Sequence, residues 1–306
     1  MLTQRIHEWG GTDRLRLETV DVPKPQPGQV RVAIAAIGVN PVDWKVLTGK
    51  APVPMDLPLT PGGDIAGTVD AIGDGVTAFA PGDRVFGLIG LQGAYAEQVV
   101  VSVDHLAAVP EGMDIAEAAG LPLAALTALQ GMQADGRPLA GLDVLVHGAA
   151  GGVGTIAVQL AAAQGARVTG SASASNADFV RSLGASAVVD FRQHDLVGGE
   201  ASFDMLIDLV GNSLETGLWS MVREGGSVVR IAGGATAAEI EEVDGVRVYK
   251  VRVRPSGEHM RYVAQLAAEG RLKVHIEARY PFADAIAALE RVKEGHVRGK
   301  VVLTLR

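Results

Sequence analysis

The run from Asp143 to Gln164 leaves this chain the fewest ways to fold. A short apolar segment, Asp143-Val144-Leu145-Val146-His147, meets the cluster Gly148-Ala149-Ala150-Gly151-Gly152-Val153-Gly154 and then an apolar stretch with helical character. A strand that turns through several glycines into a helix is the context of a dinucleotide-binding fingerprint. Read against G-x-G-x-x-G, Ala149 takes the first glycine place, Gly151 lets backbone approach a pyrophosphate, and Gly154 allows close packing of helix on strand. The helix start at Gly152 and Val153 supplies unpaired N–H groups and the positive end of the helix dipole to the phosphates. A plain turn with no ligand is the alternative, but it needs only one or two glycines, and each glycine costs conformational entropy. From Val144 to Ala166 the chain has no Lys, Arg, Asp or Glu, long enough to suggest a membrane span. The glycine cluster would break a spanning helix in its first half, whereas strand, turn and buried helix explain the same apolarity.

Strand and helix patterns alternate around this motif. The helix over 152–164 is followed by a strand over 166–170, a helix over 176–183 that Gly184 ends, and a strand over 187–190. A strand over 203–210, a helix over 212–222 and a strand over 227–232 come next. This is the pattern of a parallel sheet with helices on both faces. Residues 15–110 instead read as short strands: 15–21, 29–39, 67–72, 83–89 and 94–101. One short helix interrupts them, with Asn40 as N-cap and Pro41 at its first position, running to Thr48 before Gly49. The last fifty residues suggest a helix over 258–269, a strand over 273–276, a helix over 282–293 and a strand over 300–305.

In a Rossmann sheet, an acid about twenty residues beyond the glycine turn binds the adenosine ribose 2′-hydroxyl of NAD. No acid stands there. The stretch Thr169-Gly170-Ser171-Ala172-Ser173-Ala174-Ser175-Asn176 offers hydroxyls and an amide that can donate to a 2′-phosphate. Ser171, Ser173, Ser175 and Asn176 are therefore assigned to the cofactor and point to NADPH, although some of them also suit the cap of the next helix. Gly211, after the strand 203–210, and Ala232 with Gly233, at the end of the strand 227–232, complete the cofactor set.

The 306 residues contain no cysteine, which removes disulfides, thiolate zinc sites and a cysteine nucleophile together. The seven histidines are at least sixteen residues apart and there is no H-E-x-x-H, so no metal site is expected. His147, at the end of its strand, reads as a satisfied, partly buried side chain. No serine satisfies G-x-S-x-G. A net charge of −8 with scattered basic residues favours neither nucleic acid nor membrane as a partner. Residues 1–9 carry Arg5, His7 and Glu8 and lack an apolar core segment, so a cytoplasmic setting is expected.

Several segments together resemble the medium-chain dehydrogenase/reductase superfamily, in its zinc-independent, zeta-crystallin-like quinone oxidoreductase branch. They are Gly38-Val39-Asn40-Pro41-Val42-Asp43-Trp44-Lys45, Pro61-Gly62-Gly63-Asp64-Ile65-Ala66-Gly67, Gly82-Asp83-Arg84-Val85-Phe86-Gly87 and Gly93-Ala94-Tyr95-Ala96-Glu97. Leu126-Thr127-Ala128, the glycine turn and Gly299-Lys300-Val301-Val302-Leu303 extend the resemblance over nearly the whole chain. It implies an α/β protein in which a Rossmann doubly wound parallel sheet, residues 117–256, is inserted into a β-rich GroES-like catalytic domain, residues 1–116 and 257–306. The active site would lie in the cleft between them, and the molecule would be a homodimer joined through a Rossmann edge strand, here Val246 to Val253. Where zinc alcohol dehydrogenases place a cysteine and a histidine ligand, this chain has Asn40 and Gly63. Many relatives carry Lys or Arg in the place of Ser175 and Tyr in the place of Phe191, and Arg192 is assigned to replace the missing charge.

The resemblance puts Asn40, Asp43 and Trp44 at the acceptor, with Thr127 on the nicotinamide side. Thr127 equally suits a helix cap, and Asp64 an ion pair. The implied activity is NADPH-dependent hydride transfer to a quinone or α,β-unsaturated carbonyl, with the Asn40 amide stabilising the oxyanion. An enoyl-thioester or polyketide-tailoring reductase of the same superfamily is the alternative, although the tyrosine it would use is missing between residues 40 and 60. A non-catalytic, cofactor-bound structural or RNA-binding protein is the other.

Overall fold

The computed structural model describes residues 1–50, 54–190, 200–231 and 239–305. Its elements fall into two compact units, Met1–Leu126 with Arg254–Arg306, and Thr127–Val253. In chain order, the first unit begins with β1 (Leu2–Arg5), β2 (Arg16–Thr19), β3 (Gln29–Val39), α1 (Pro41–Leu47), β4 (Asp64–Ile72), β5 (Arg84–Leu88), β6 (Gln98–Ser102), β7 (Leu106–Ala108) and α2 (Ile115–Gly120). Helix α3 (Pro122–Met132) carries the chain into the second unit. There follow β8 (Asp143–His147), α4 (Gly152–Ala163), β9 (Arg167–Ala172), α5 (Ala177–Ser182), β10 (Ala187–Asp190), β11 (Phe203–Asp208), β12 (Val222–Arg230), β13 (Glu239–Val243) and β14 (Val246–Lys250). The chain returns to the first unit with α6 (Gly257–Ala268), β15 (Ile276–Pro281), α7 (Ala285–Lys293) and β16 (Lys300–Thr304).

The first unit is the GroES-like domain. Its main sheet has the order β15-β16-β3-β4-β5-β7, with β6 also on β3. β3 alternates buried and half-buried residues over most of its length, the period-two pattern of a strand with one face on a core. That core includes Val30, Val32, Ile34, Ile65, Val85 and Tyr95, and α7 closes it with Ala285, Ala288 and Leu289 at helical spacing. Burying a leucine- or isoleucine-sized side chain there contributes about 1.5–3 kcal/mol. Helix α2 packs on β3, β4 and β16 in this unit, so the sequence-based boundary at 116/117 falls inside it. The reason is a close approach at Gly38, where an added Cβ would lie 2.3 Å from the Ala119 carbonyl oxygen.

The second unit carries the sheet β10-β9-β8-β11-β12-β14-β13, parallel except for β13. Numbered among themselves in chain order, with antiparallel β13 left out, its six parallel strands run 3-2-1-4-5-6, the Rossmann doubly wound order, which reverses at β8. β8 is buried on both faces at Val144, Leu145 and Val146, as a central parallel strand must be.

Three sequence expectations are corrected here. The helix over 212–222 does not form. Gly217 sits at φ +77°, which ends a single turn after Asn212, and only a 3-10 turn, Leu218–Met221, precedes β12. The strand over 273–276 forms instead as Ile276–Pro281, in parallel register with β16. Val246–Lys250 is not an edge: β14 is paired on one side by β12 and on the other by β13, so it cannot offer its backbone to a second copy. Among the described residues, no helix is long and apolar enough to cross a membrane.

Candidate functional site

In the GroES-like unit, α1 follows β3 directly and starts at Pro41, whose fixed φ suits a first helical position. The Asn40 N–H donates to Asp43 Oδ2 at 2.9 Å, one arm of a capping box. The Asn40 side chain reaches across to β4, where its Nδ2 donates to Asp64 Oδ2 at 2.8 Å and to the Gly38 carbonyl at 3.3 Å. The Lys300 ammonium, from the start of β16, donates to Asn40 Oδ1 and to the Val39 carbonyl and lies 3.7 Å from Asp64 Oδ2. Asp64 Oδ1 accepts the Leu123 N–H at 2.7 Å, which places a carboxylate at the start of α3. Finally, the Tyr95 hydroxyl donates to Asp43 Oδ2 at 3.0 Å.

Asp43, Asp64 and Tyr95 have no exposed surface, and Asn40 and Lys300 keep 4% each. One buried ammonium therefore pairs with Asp64 and acts on Asp43 only as a nearby charge, away from water. Burial pushes the Asp43 carboxyl up to about 7, opposed by the Asn40 N–H that its carboxylate accepts. Burial raises Asp64 too, against the pull of Lys300, and lowers Lys300 against the pull of Asp64. Among the described residues, Asp43 Oδ1 has no hydrogen-bond partner.

These contacts revise two assigned roles. Both Asn40 amide hydrogens are engaged by Asp64 and Gly38, so Asn40 has none left for a substrate oxyanion in this conformation. Asp43 is sealed from solvent and holds Asn40 and Tyr95 in place rather than facing an acceptor. Trp44 is half-buried against the core, with Lys45 Nζ 5.6 Å from its ring centroid and its indole N–H without a partner among the described residues. Thr127 is buried within α3. In the sequence Lys300 and Tyr95 stand only as family markers, and their place in this network follows from long-range contacts.

The Rossmann unit builds its site at the carboxyl ends of β8, β9 and β11, where His147 aligns with Ser171 and Asp208. Gly148 turns the chain at φ +87°, and the Ala149 N–H ties the turn to the Ser171 carbonyl at 3.0 Å. Gly154 is demanded by packing: a Cβ there would lie 2.1 Å from the Gly148 carbonyl oxygen. Gly151 is not, since its added Cβ meets only that same oxygen at 3.5 Å, an ordinary contact. Gly151, Gly152 and Val153 remain half-exposed where α4 begins. The first-turn N–H groups have no carbonyl partner within the helix, and the glycine N-cap supplies no side-chain acceptor. A dinucleotide pyrophosphate fits this cradle by charge and by space.

Around the turn, Asp208 is fully buried and accepts the N–H groups of Val210, Gly211 and Ser213 at 3.1, 2.7 and 2.9 Å. This fixes Gly211 at φ +87°. Ser171 cannot read a 2′-phosphate, because it is fully buried and its hydroxyl pairs with His147 Nδ1 at 2.8 Å. His147 is a satisfied side chain, lowered in pKa chiefly by burial. Ser173, Ser175 and Asn176 do come together: Ser173 Oγ is 3.1 Å from Ser175 Oγ and accepts from Asn176 Nδ2 at 3.2 Å. Arg192, Ala232 and Gly233, with Phe191, lie outside the described residues.

Comparison with known proteins agrees with both units. Residues 26–111 match the model of the alcohol dehydrogenase GroES-like domain, and residues 183–303 match that of the zinc-binding dehydrogenases. Human quinone oxidoreductase is 31% identical over all of this chain and 98% of its own length. The quinone oxidoreductase of Coxiella burnetii superposes with a TM-score of 0.89 at 30% identity, over 100% of this chain and 99% of that one. The Escherichia coli quinone oxidoreductase complexed with NADPH gives 0.85 at 27% identity, over 99% and 100%. Zinc does not fit the residues present. The two positions that the resemblance equates with metal ligands hold an amide already bound to an ammonium and a glycine whose Cβ would lie 2.0 Å from the Gly90 carbonyl oxygen.

Proposed function

The chain belongs to the quinone oxidoreductase branch of the medium-chain dehydrogenase/reductase superfamily, and from that membership we propose that it reduces a quinone or an α,β-unsaturated carbonyl with NADPH. When bound, the nicotinamide dinucleotide supplies the hydride. The observation that carries the reading is the contrast between Gly154, which the fold needs, and Gly151, which it does not: the bare backbone at Gly151 serves something outside the protein. The first turn of α4 holds the pyrophosphate, Gly211 on its Asp208-fixed turn lies beside it, and Ser173, Ser175 and Asn176 donate at the ribose end. NADPH complexes of structural neighbours support the choice of cofactor.

In the other unit, Trp44 offers a flat apolar wall for a flat acceptor. Asn40 is held rigid between Asp64 and Lys300 and shapes the start of α1 rather than donating to the substrate. Because the acceptor's conjugated system takes the charge, the proton can come from water. A homodimer is part of the proposal, built on a surface other than β14, and sedimentation showing only monomer at micromolar concentration would contradict it.

NADPH oxidation measured with quinones, enones and enoyl thioesters tests the reading. Turnover with quinones or enones, lost in Trp44→Ala while NADPH still binds, is expected. Turnover confined to enoyl thioesters would favour a tailoring reductase, and binding without turnover a structural protein.

A further inference from the structure

The sequence places no acid at the end of β9, but the fold brings one there from the neighbouring strand. Asp190, the last residue of β10, pairs in register with Ala172. Its Oδ2 accepts the Ala174 N–H at 3.2 Å, inside the loop where Ser173, Ser175 and Asn176 are joined. A dinucleotide whose pyrophosphate rests on the start of α4 sets its adenosine ribose at the end of the second strand, which here is this loop.

We propose that Asp190 is a specificity-determining residue for the cofactor and that it works against the 2′-phosphate. The inference rests on the dinucleotide reading above. A carboxylate one hydrogen bond from the loop repels a phosphate and favours a ribose hydroxyl, which can donate to it. The serine hydroxyls and the Asn176 amide pull the other way. The two influences meet at one loop, so the preference for NADPH over NADH is small, and the charge of Asp190 keeps it so.

Dissociation constants for NADPH and NADH, measured by fluorescence titration on the full chain, test this with two variants. Asp190→Asn removes the charge but keeps an oxygen to accept the Ala174 N–H; Asp190→Ala removes both. The expected result is a wild-type preference for NADPH below about tenfold that rises by about another tenfold in Asp190→Asn, the size of a like-charge repulsion acting across about 12 Å near a protein surface. Asp190→Ala should raise the ratio as well. An unchanged ratio in Asp190→Asn, with both cofactors weakened alike in Asp190→Ala, would overturn the proposal and leave Asp190 as a loop support. Failure of the wild-type chain to bind either dinucleotide would overturn the parent reading and this one with it.

Discussion

The Lys300 ammonium lies 3.7 Å from the Asp64 carboxylate, and neither side chain is more than 5% exposed. An ion pair shut away from water contributes little beyond its own desolvation, but removing one partner strands the other. Lys300→Met should therefore destabilise the fold by about 3–5 kcal/mol. Adding Asp64→Asn should restore a large part of that loss, because the two residues are coupled. Urea unfolding of the two single variants and the double variant measures it; simple additivity would show that the pair is not the unit described here.

Asp43 makes stability depend on pH. Its carboxyl is raised from 3.8 to about 7 in the folded chain, so between those values the folded state holds a proton that the unfolded state has released. Its contribution is therefore fully present below about pH 4, falls as pH rises towards 7, and is flat above. Asp43→Asn, which cannot titrate, should make the fall in stability across that window shallower, leaving only the part that Asp64 contributes, and gain relative to wild type at pH 8. Equal pH profiles for the two proteins would contradict this.

The two glycines of the turn should separate folding from binding. Gly154→Ala forces a Cβ onto the Gly148 carbonyl and should cost about 3 kcal/mol or more. Gly151→Ala keeps an ordinary φ of −77° and should alter stability by no more than about 1 kcal/mol. Its dinucleotide affinity should nevertheless fall by about tenfold or more. Thermal unfolding with NADPH titration on both variants checks the contrast.

Of the serines after β9, only the outer ones should affect the cofactor. Ser171→Ala breaks the bond to His147 and should cost about 1 kcal/mol without changing the ratio of NADPH to NADH affinity. Ser175→Lys adds a cation at an exposed position of the loop and should tighten NADPH by about tenfold, with little effect on NADH. A Ser175→Lys variant that tightens both cofactors alike would show that the phosphate is not read there.

Much of this was legible in the sequence where the signal is local. The β3 span, α1 with its Asn40-Pro41 start, and the β8, glycine turn and α4 succession each follow from neighbouring residues. Helix α2 was also within reach, since Asp114 accepts the Ala116 and Glu117 N–H groups and the Asp114-x-x-Glu117 spacing marks a helix start. The helix expected after Asn212 failed because one glycine, at Gly217, outweighs an apolar pattern. At the site, Asn40, Asp43 and the glycine turn could be named from motifs, but not what their side chains bind. Lys300 is 260 residues from Asn40 and Tyr95 is 52 from Asp43, and Asp190 reaches its loop only because β10 lies beside β9. Such partners are set by strand order and register, which no local pattern encodes.

The proposed reaction is hydride transfer from a nicotinamide dinucleotide without zinc. It is tested most directly by the rate of NADPH oxidation by chelator-treated protein, with and without p-benzoquinone. Quinone-dependent oxidation at the same rate as before chelation is expected, in protein that contains no stoichiometric zinc. A rate that vanishes with the chelator and returns with one zinc per chain would contradict it.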